Sequence, residues 1–204
     1  MAHTTTEAID GRERILREAE RLFGEKGYRG VSIRELAKAC GMTNAALYYH
    51  FSCKEDLFYQ VAIRHAERLA QRIRDEAQTA GDDPLAQLTA AARVYAEHLK
   101  FRQDTAHTFA EAFRQMGKER AQALGEHFHR HVVGAMADVI RTGQERGVLR
   151  DVDSDLAAQA FMGLLGTLRF LPQEQRFSPE IVERLVDLFL YGMVAREDTG
   201  DERG

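Results

Sequence analysis

The segment from Ser32 to Phe51 constrains this chain more than any other. Ser32-Ile33-Arg34-Glu35 is a capping box, in which the Ser oxygen takes a backbone N–H and Glu35 reaches back. It opens a short helix, Ile33 to Ala39. Cys40-Gly41-Met42 follows, and Gly41 can take the left-handed backbone that a tight turn needs. Thr43 is an N-cap for a second short helix, Asn44 to Phe51. Two short helices about three residues apart make a helix-turn-helix unit. The second helix of such a unit enters the major groove, with its early residues toward base edges. Leu47 and Phe51 are four apart and face inward. Asn44, Ala45, Tyr48 and Tyr49 fill the outer arc. Asn pairs with an adenine edge, whereas Tyr and helix-start Thr hydroxyls bond phosphates.

The rest of the chain reads as all-α. There are only 3 Pro in 204 residues, and Ala, Leu, Glu, Arg and Gln dominate. Residues 11–26 place Ile15, Leu16, Ala19, Leu22 and Phe23 at helical spacing, and Gly27 ends that helix. A long helix runs from about Lys54 to Thr79. Asp83 then caps a helix with Pro84 at its first position. Further helical patterns cover 85–101, 105–115, 119–146, 154–171 and 179–195, the last two started by Asp153 or Ser154 and by Ser178-Pro179-Glu180. The expected organisation is a flexible leader over 1–9, a DNA-binding head over 10–56, a larger helical body over 57–196, and a flexible tail over 197–204. No segment has the roughly 18 consecutive apolar residues of a membrane helix. The polar start has no signal-like apolar core, and two Cys without a Cys-x-x-Cys pattern suit a reducing, cytoplasmic setting. The net charge is −4. Residues 1–60 carry nine basic and nine acidic side chains, so any basic face must come from their arrangement.

The run Val31-Ser32-Ile33-Arg34-Glu35-Leu36-Ala37-Lys38-Ala39-Cys40-Gly41-Met42-Thr43-Asn44-Ala45-Ala46-Leu47-Tyr48-Tyr49-His50-Phe51, followed by Lys54-Glu55-Asp56-Leu57, resembles the DNA-binding signature of the TetR/AcrR regulators. Ala19, Phe23, Gly27 and Tyr28 match that family's first helix and its Gly-Tyr turn, so the resemblance covers roughly residues 10–60. It implies an Ω-shaped homodimer of about nine helices per chain. It implies a regulator, in the first instance a ligand-released repressor on a pseudo-palindromic operator; an activator of the same fold is the alternative. By position, Ser32, Thr43, Tyr48, Tyr49, His50 and Lys54 match phosphate- or groove-contacting residues, and Asn44 and Ala45 match residues that touch bases. Two departures stand out. Ala45 replaces a frequent Gly. Cys53 stands where Ser, Asn or Asp usually caps helix 4; because a thiol caps poorly, Ser52 with Glu55 is expected to offer a box one residue earlier.

The body diverges, and only its length and helical layout match. The long helix from Lys54 links head to body, so its tilt would move the reading helix. Ile73, Tyr95, His98, Leu99, Phe109, Phe113, Met116, Phe128, Met136 and Phe161 are candidate pocket residues for a small lipophilic ligand, although each alone is more simply core. The last two helices carry Phe161, Leu164, Leu165, Leu168, Phe170, Ile181, Leu185, Leu188, Phe189 and Met193, with Gly163 and Gly166 permitting close approach; the resemblance implies that they form the dimer seam and a sensing, dimerising body, although a monomeric core could use the same residues. His127 and His131 share a helix face and His129 does not. His98 and His107 could join them in space, but no acidic or thiol partner has convincing spacing, so packed or solvated His is the expectation and no metal or other cofactor is assigned. Cys40 and Cys53 flank the reading helix, and a buried thiol there would be inert. A di-metal enzyme would need paired Glu-x-x-His motifs. Only Glu126 and His129 have that spacing, since Glu111 is followed by Arg114, so no catalytic site is expected.

Overall fold

The structure is a computed structural model that describes residues 2–104 and 112–192. Every regular element among the described residues is helical. Helices α1 (Ala2–Gly30), α2 (Ile33–Ala39) and α3 (Asn44–His50) form the head, and α4 (Lys54–Thr79) leaves it. The body adds α5 (Pro84–Asp104), a helical stretch at 112–116, α6 (Lys118–Phe128), α7 (Gly134–Glu145), α8 (Ser154–Leu165) and α9 (Pro179–Tyr191).

The start signals are local chemistry, and they sit where the sequence puts them. Ser32 Oγ accepts the Glu35 N–H at 3.1 Å, and Thr43 Oγ1 accepts the Ala46 N–H at 3.1 Å. Asp83 Oδ1 accepts from Leu85, Asp153 Oδ1 from Asp155 and Leu156, and Ser178 Oγ from Ile181. Gly41 holds φ 63, so the α2–α3 turn needs a residue without a Cβ penalty.

Differences from the sequence reading lie at helix ends and joints. The first helix starts at Ala2, because nothing before Gly11 breaks it; its end at Gly27 is as read, since the backbone there is non-helical (φ 75, ψ 164) and a separate short helical piece runs on to Gly30. The pattern over 119–146 is one path, but a π-helical turn, His129–Val133, separates α6 from α7. The pattern over 154–171 ends in a tighter 3₁₀ turn, Gly166–Phe170. Of the expected helix 105–115, residues 112–115 are helical and the earlier part lies outside the described residues. The final helix stops at Tyr191, where the Gly192 N–H closes on Leu188 O at 2.8 Å; the expected extension over 193–195, Met193 included, lies outside the described residues. Cys53 itself caps α4, its Sγ accepting the Asp56 N–H at 3.4 Å while Asp56 Oδ2 accepts from the Ser52 N–H at 3.1 Å. The earlier Ser52–Glu55 box does not form. The acid that reaches back is Asp56, and α4 begins at Lys54.

Two apolar clusters hold the molecule, and α4 belongs to both. Its Leu57, Phe58 and Val61 pack with Ile15, Leu22, Phe23, Leu36, Leu47 and Phe51 of the head. Further along, Ala66, Leu69, Ala70, Ile73 and Ala77 pack with α5, α7, α8 and α9. Ala112, Met116 and Leu124 of the body also reach the head cluster. The head is therefore seated on the body through α4 and through the stretch just before α6.

Candidate nucleic-acid interface and effector cavity

Burying Leu47 (0 % exposed) and Phe51 (1 %) fixes which face of α3 points outward. That face presents Asn44, Ala45, Tyr48 and Tyr49, all exposed; Tyr49 is 83 % exposed and Tyr48 51 %. Large aromatic rings left this open gain nothing from the core. Ser32 and Thr43 are exposed at the starts of α2 and α3. Each hydroxyl spends a lone pair on its cap and keeps its O–H to donate. These six residues lie on the two short helices of the turn motif and its caps.

His50 and Lys54 sit differently. His50 is half-buried, edge-on to Tyr49 with ring centroids 5.3 Å apart, and it lies over Gly11 of α1. A Cβ on Gly11 would come within 3.3 Å of His50 Nε2, so the missing side chain makes room for the ring. The Lys54 ammonium stands 4.1 Å from the centre of the Tyr28 ring, and burial lowers its pKa. Tyr28 in turn donates its O–H to Glu55 Oε1 at 2.8 Å and packs edge-on against Phe58. The start of α4 is thus clamped onto the end of α1. Cys40 is buried, and that burial raises its thiol pKa, which suppresses reactivity; Cys53 is half-buried as the cap.

A cavity of about 780 Å³ lies in the body between α4, α5, α6 and α8. Tyr95, His98, Leu99, Phe113 and Phe128 line it. Ile73, Met136 and Phe161 are fully buried in the body core and do not line it, Met116 packs into the head cluster, and Phe109 lies outside the described residues. The wall also includes His65, Arg102 and Arg169, which sequence reasoning missed. These polar residues have no helical periodicity to mark them; only the tertiary packing gathers them. Burial pushes His98 down to about 3, with His65 and Arg102 adding to the effect, so its ring is neutral at physiological pH. Burial also lowers Arg102, and neighbouring Arg169 lowers it further. Arg102 and Arg169 thus stand close together in the wall of a largely apolar cavity.

A polar chain runs from this cavity to the head. His98 Nδ1 is 3.1 Å from His65 Nε2. The other His65 nitrogen, Nδ1, faces Glu20 Oε1 of α1 at 3.9 Å, and Arg68 of α4 also bonds that oxygen. A carboxylate beside Nδ1 favours the proton there, which leaves Nε2 to accept from the His98 N–H. Burial alone would raise the Glu20 carboxyl, but the Arg68 hydrogen bond and the nearby His65 ring hold it at about 2. Arg64 of α4 makes a parallel ion pair with Glu13 of α1.

An outward-facing helix-turn-helix seated on a cavity-bearing helical body defines a helix-turn-helix regulator. The family comparison is specific. Residues 15–61 match the model described as bacterial regulatory proteins, tetR family, and residues 81–193 match the tetracyclin repressor-like C-terminal domain. The chain belongs to the tetR family of transcriptional regulators. It is similar to the repressor AcnR of Corynebacterium efficiens, 37 % identical over 70 residues, which is 34 % of this chain and 37 % of that one. It is similar to the regulator UidR of Escherichia coli K12, 35 % identical over 75 residues, 37 % of this chain and 38 % of that one. Each match thus spans little more than a third of the relative's length. Over nearly the whole chain it resembles a transcriptional regulator from Saccharomonospora viridis solved in complex with choline, at TM-score 0.69 and 25 % identity, covering 92 % of this chain and 99 % of the other. No helix among the described residues is long and apolar enough to cross a membrane.

Proposed function

We propose that the chain is a cytoplasmic repressor that grips a pseudo-palindromic operator as a homodimer and is released by a small amphiphile. The observation that carries this reading is the continuity of α4, which packs into the head at one end and walls the cavity along its middle. Asn44 and Ala45 read base edges. Ser32, Thr43, Tyr48 and Tyr49 bond phosphates, and Lys54 and His50 set the pose of α4 and α3 from behind. The residue ranges 10–56 and 57–196 serve as head and body, with Leu57, Phe58 and Val61 as the shared joint.

The dimer forms through α8 and α9. Phe170 is 78 % exposed and Leu156 65 %, and Leu188 and Tyr191 of α9 are exposed as well, so apolar side chains are left open along this region. Two heads related by a two-fold axis require two half-sites.

The cavity volume falls in the range of small-molecule sites. Its apolar walls suit a lipophilic body, and Arg169 suits a negatively charged end. A ligand that displaces the His98–His65 contact would loosen Glu20 and thereby α1 against α4. The test is release from DNA. Protein bound to a fluorescent operator, selected from random duplexes, is titrated with straight-chain carboxylic acids and the matching alcohols. The acids are expected to lower anisotropy at lower concentration than the alcohols, and Arg169→Ala is expected to erase that difference while operator affinity persists. No release by either series refutes the ligand reading.

A further inference from the structure

The sequence offers His127 and His131 no acidic partner, but the fold does. Glu67, near the middle of α4, meets both at the junction of α6 with the π-helical turn. One ligand-capable atom from each of the three residues lies within 4.8 Å of the other two. We propose that Glu67, His127 and His131 bind a divalent transition-metal ion of the zinc class, tying α4 to the α6–α7 unit.

Three observations point there. First, the spacing fits. Donor atoms around a tetrahedral ion sit about 3.4 Å apart, given metal–ligand bonds of about 2.0–2.2 Å. His127 Nε2 stands 3.4 Å from Glu67 Oε1, and the His127 and His131 rings have centroids 4.2 Å apart. Second, His127 Nε2 is buried and makes no hydrogen bond, although a carboxylate oxygen is at that distance. A buried ring nitrogen without a partner is costly, and a cation between nitrogen and carboxylate satisfies both. Third, the π-helical turn His129–Val133 interrupts the helix path at this cluster. Such turns are rare and concentrate at functional sites.

The chemistry selects the ion. Two imidazoles and one carboxylate, with no thiol, suit zinc, nickel, cobalt or copper over magnesium or calcium. Glu67 is half-exposed, so water can complete the coordination. Occupancy would fix the middle of α4 within one turn of His65 and Arg68. The consequence for DNA rests on the function proposed above; the site itself does not.

The experiment uses full-length protein without a histidine tag, stripped with chelator. Zinc is titrated against a chromophoric competitor, and cobalt is used to read coordination by visible absorption. The expected result is one ion per chain, with Glu67→Gln, His127→Asn and His131→Asn each weakening affinity at least ~10-fold. His129→Asn, at the exposed neighbour that faces Asp155 instead, should leave affinity unchanged. Circular dichroism on each variant confirms that it is folded. No saturable uptake at one per chain overturns the site, and so does uptake that survives both Glu67→Gln and His127→Asn. Loss in the His variants alone, with Glu67→Gln unaffected, overturns the bridge to α4.

Discussion

Glu20→Gln tests the polar link between head and body with little change of shape. Glu20 is held at about 2 against an ordinary 4.5, with the Arg68 hydrogen bond and the nearby His65 ring outweighing its burial. At 1.36 kcal/mol per pKa unit that depression sets a ceiling of about 3.4 kcal/mol. The side chain is 32 % exposed, so solvent screening reduces the usable part to roughly 1–2 kcal/mol. A glutamine keeps the size and part of the hydrogen bonding, so the loss isolates the charge. For a chain of this length that is about 2–8 °C in Tm. The sign follows from the lowered pKa. Stability from Glu20 is fully present above its unfolded value near 4.5 and drains away as pH falls toward 2. Urea unfolding of wild type and variant, at one fixed protein concentration, should differ by roughly 1–2 kcal/mol at pH 7, and the gap should close as pH falls from 4.5 to 2. Equal midpoints at pH 7, or a gap that persists at pH 2, would refute the reasoning.

Other consequences are simpler to read. Lys54→Ala removes the ammonium from the Tyr28 face, at a cost of about 0.5–1 kcal/mol in chemical denaturation. If Lys54 also neutralises a phosphate, the logarithmic salt slope of DNA binding becomes shallower by about 0.9, and an unchanged slope limits Lys54 to its clamp. Replacing Phe170 and Leu156 together with Asp should convert the dimer to folded monomer in analytical ultracentrifugation; a dimer that survives would place the seam elsewhere. Thr43→Ala removes the α3 cap and should lower stability by about 0.5–2 kcal/mol while weakening DNA binding, and no change in either would remove Thr43 from the account.

The helix starts of head and body were legible because their signals are local. Ser32, Thr43, Asp83, Asp153 and Ser178 act within three residues of themselves, and each is seen accepting the N–H that its helix start leaves open. The inward pair Leu47 and Phe51 followed from helical spacing alone. Cys53 misled because a thiol is a weak acceptor, yet Asp56, reaching back to Ser52, supports the same start. The cavity was half-legible. Aromatic residues such as Tyr95 and Phe128 announce an apolar wall, but Ile73 and Phe161 look identical in sequence and are plain core. Arg102, Arg169, His65 and Glu67 were invisible, because each gains its meaning from a helix remote in sequence.

The most direct test of the central claim is fluorescence anisotropy with the duplex immediately upstream of the chain's own coding sequence, against scrambled duplex of equal length, supplemented by selection from random DNA. Wild type should prefer the native or selected duplex. The double change Asn44→Ala and Tyr48→Ala should abolish that preference while leaving the dimer folded. A folded dimer that selects no sequence, or a preference that the double change leaves intact, would contradict the assignment of the α3 face as the reader.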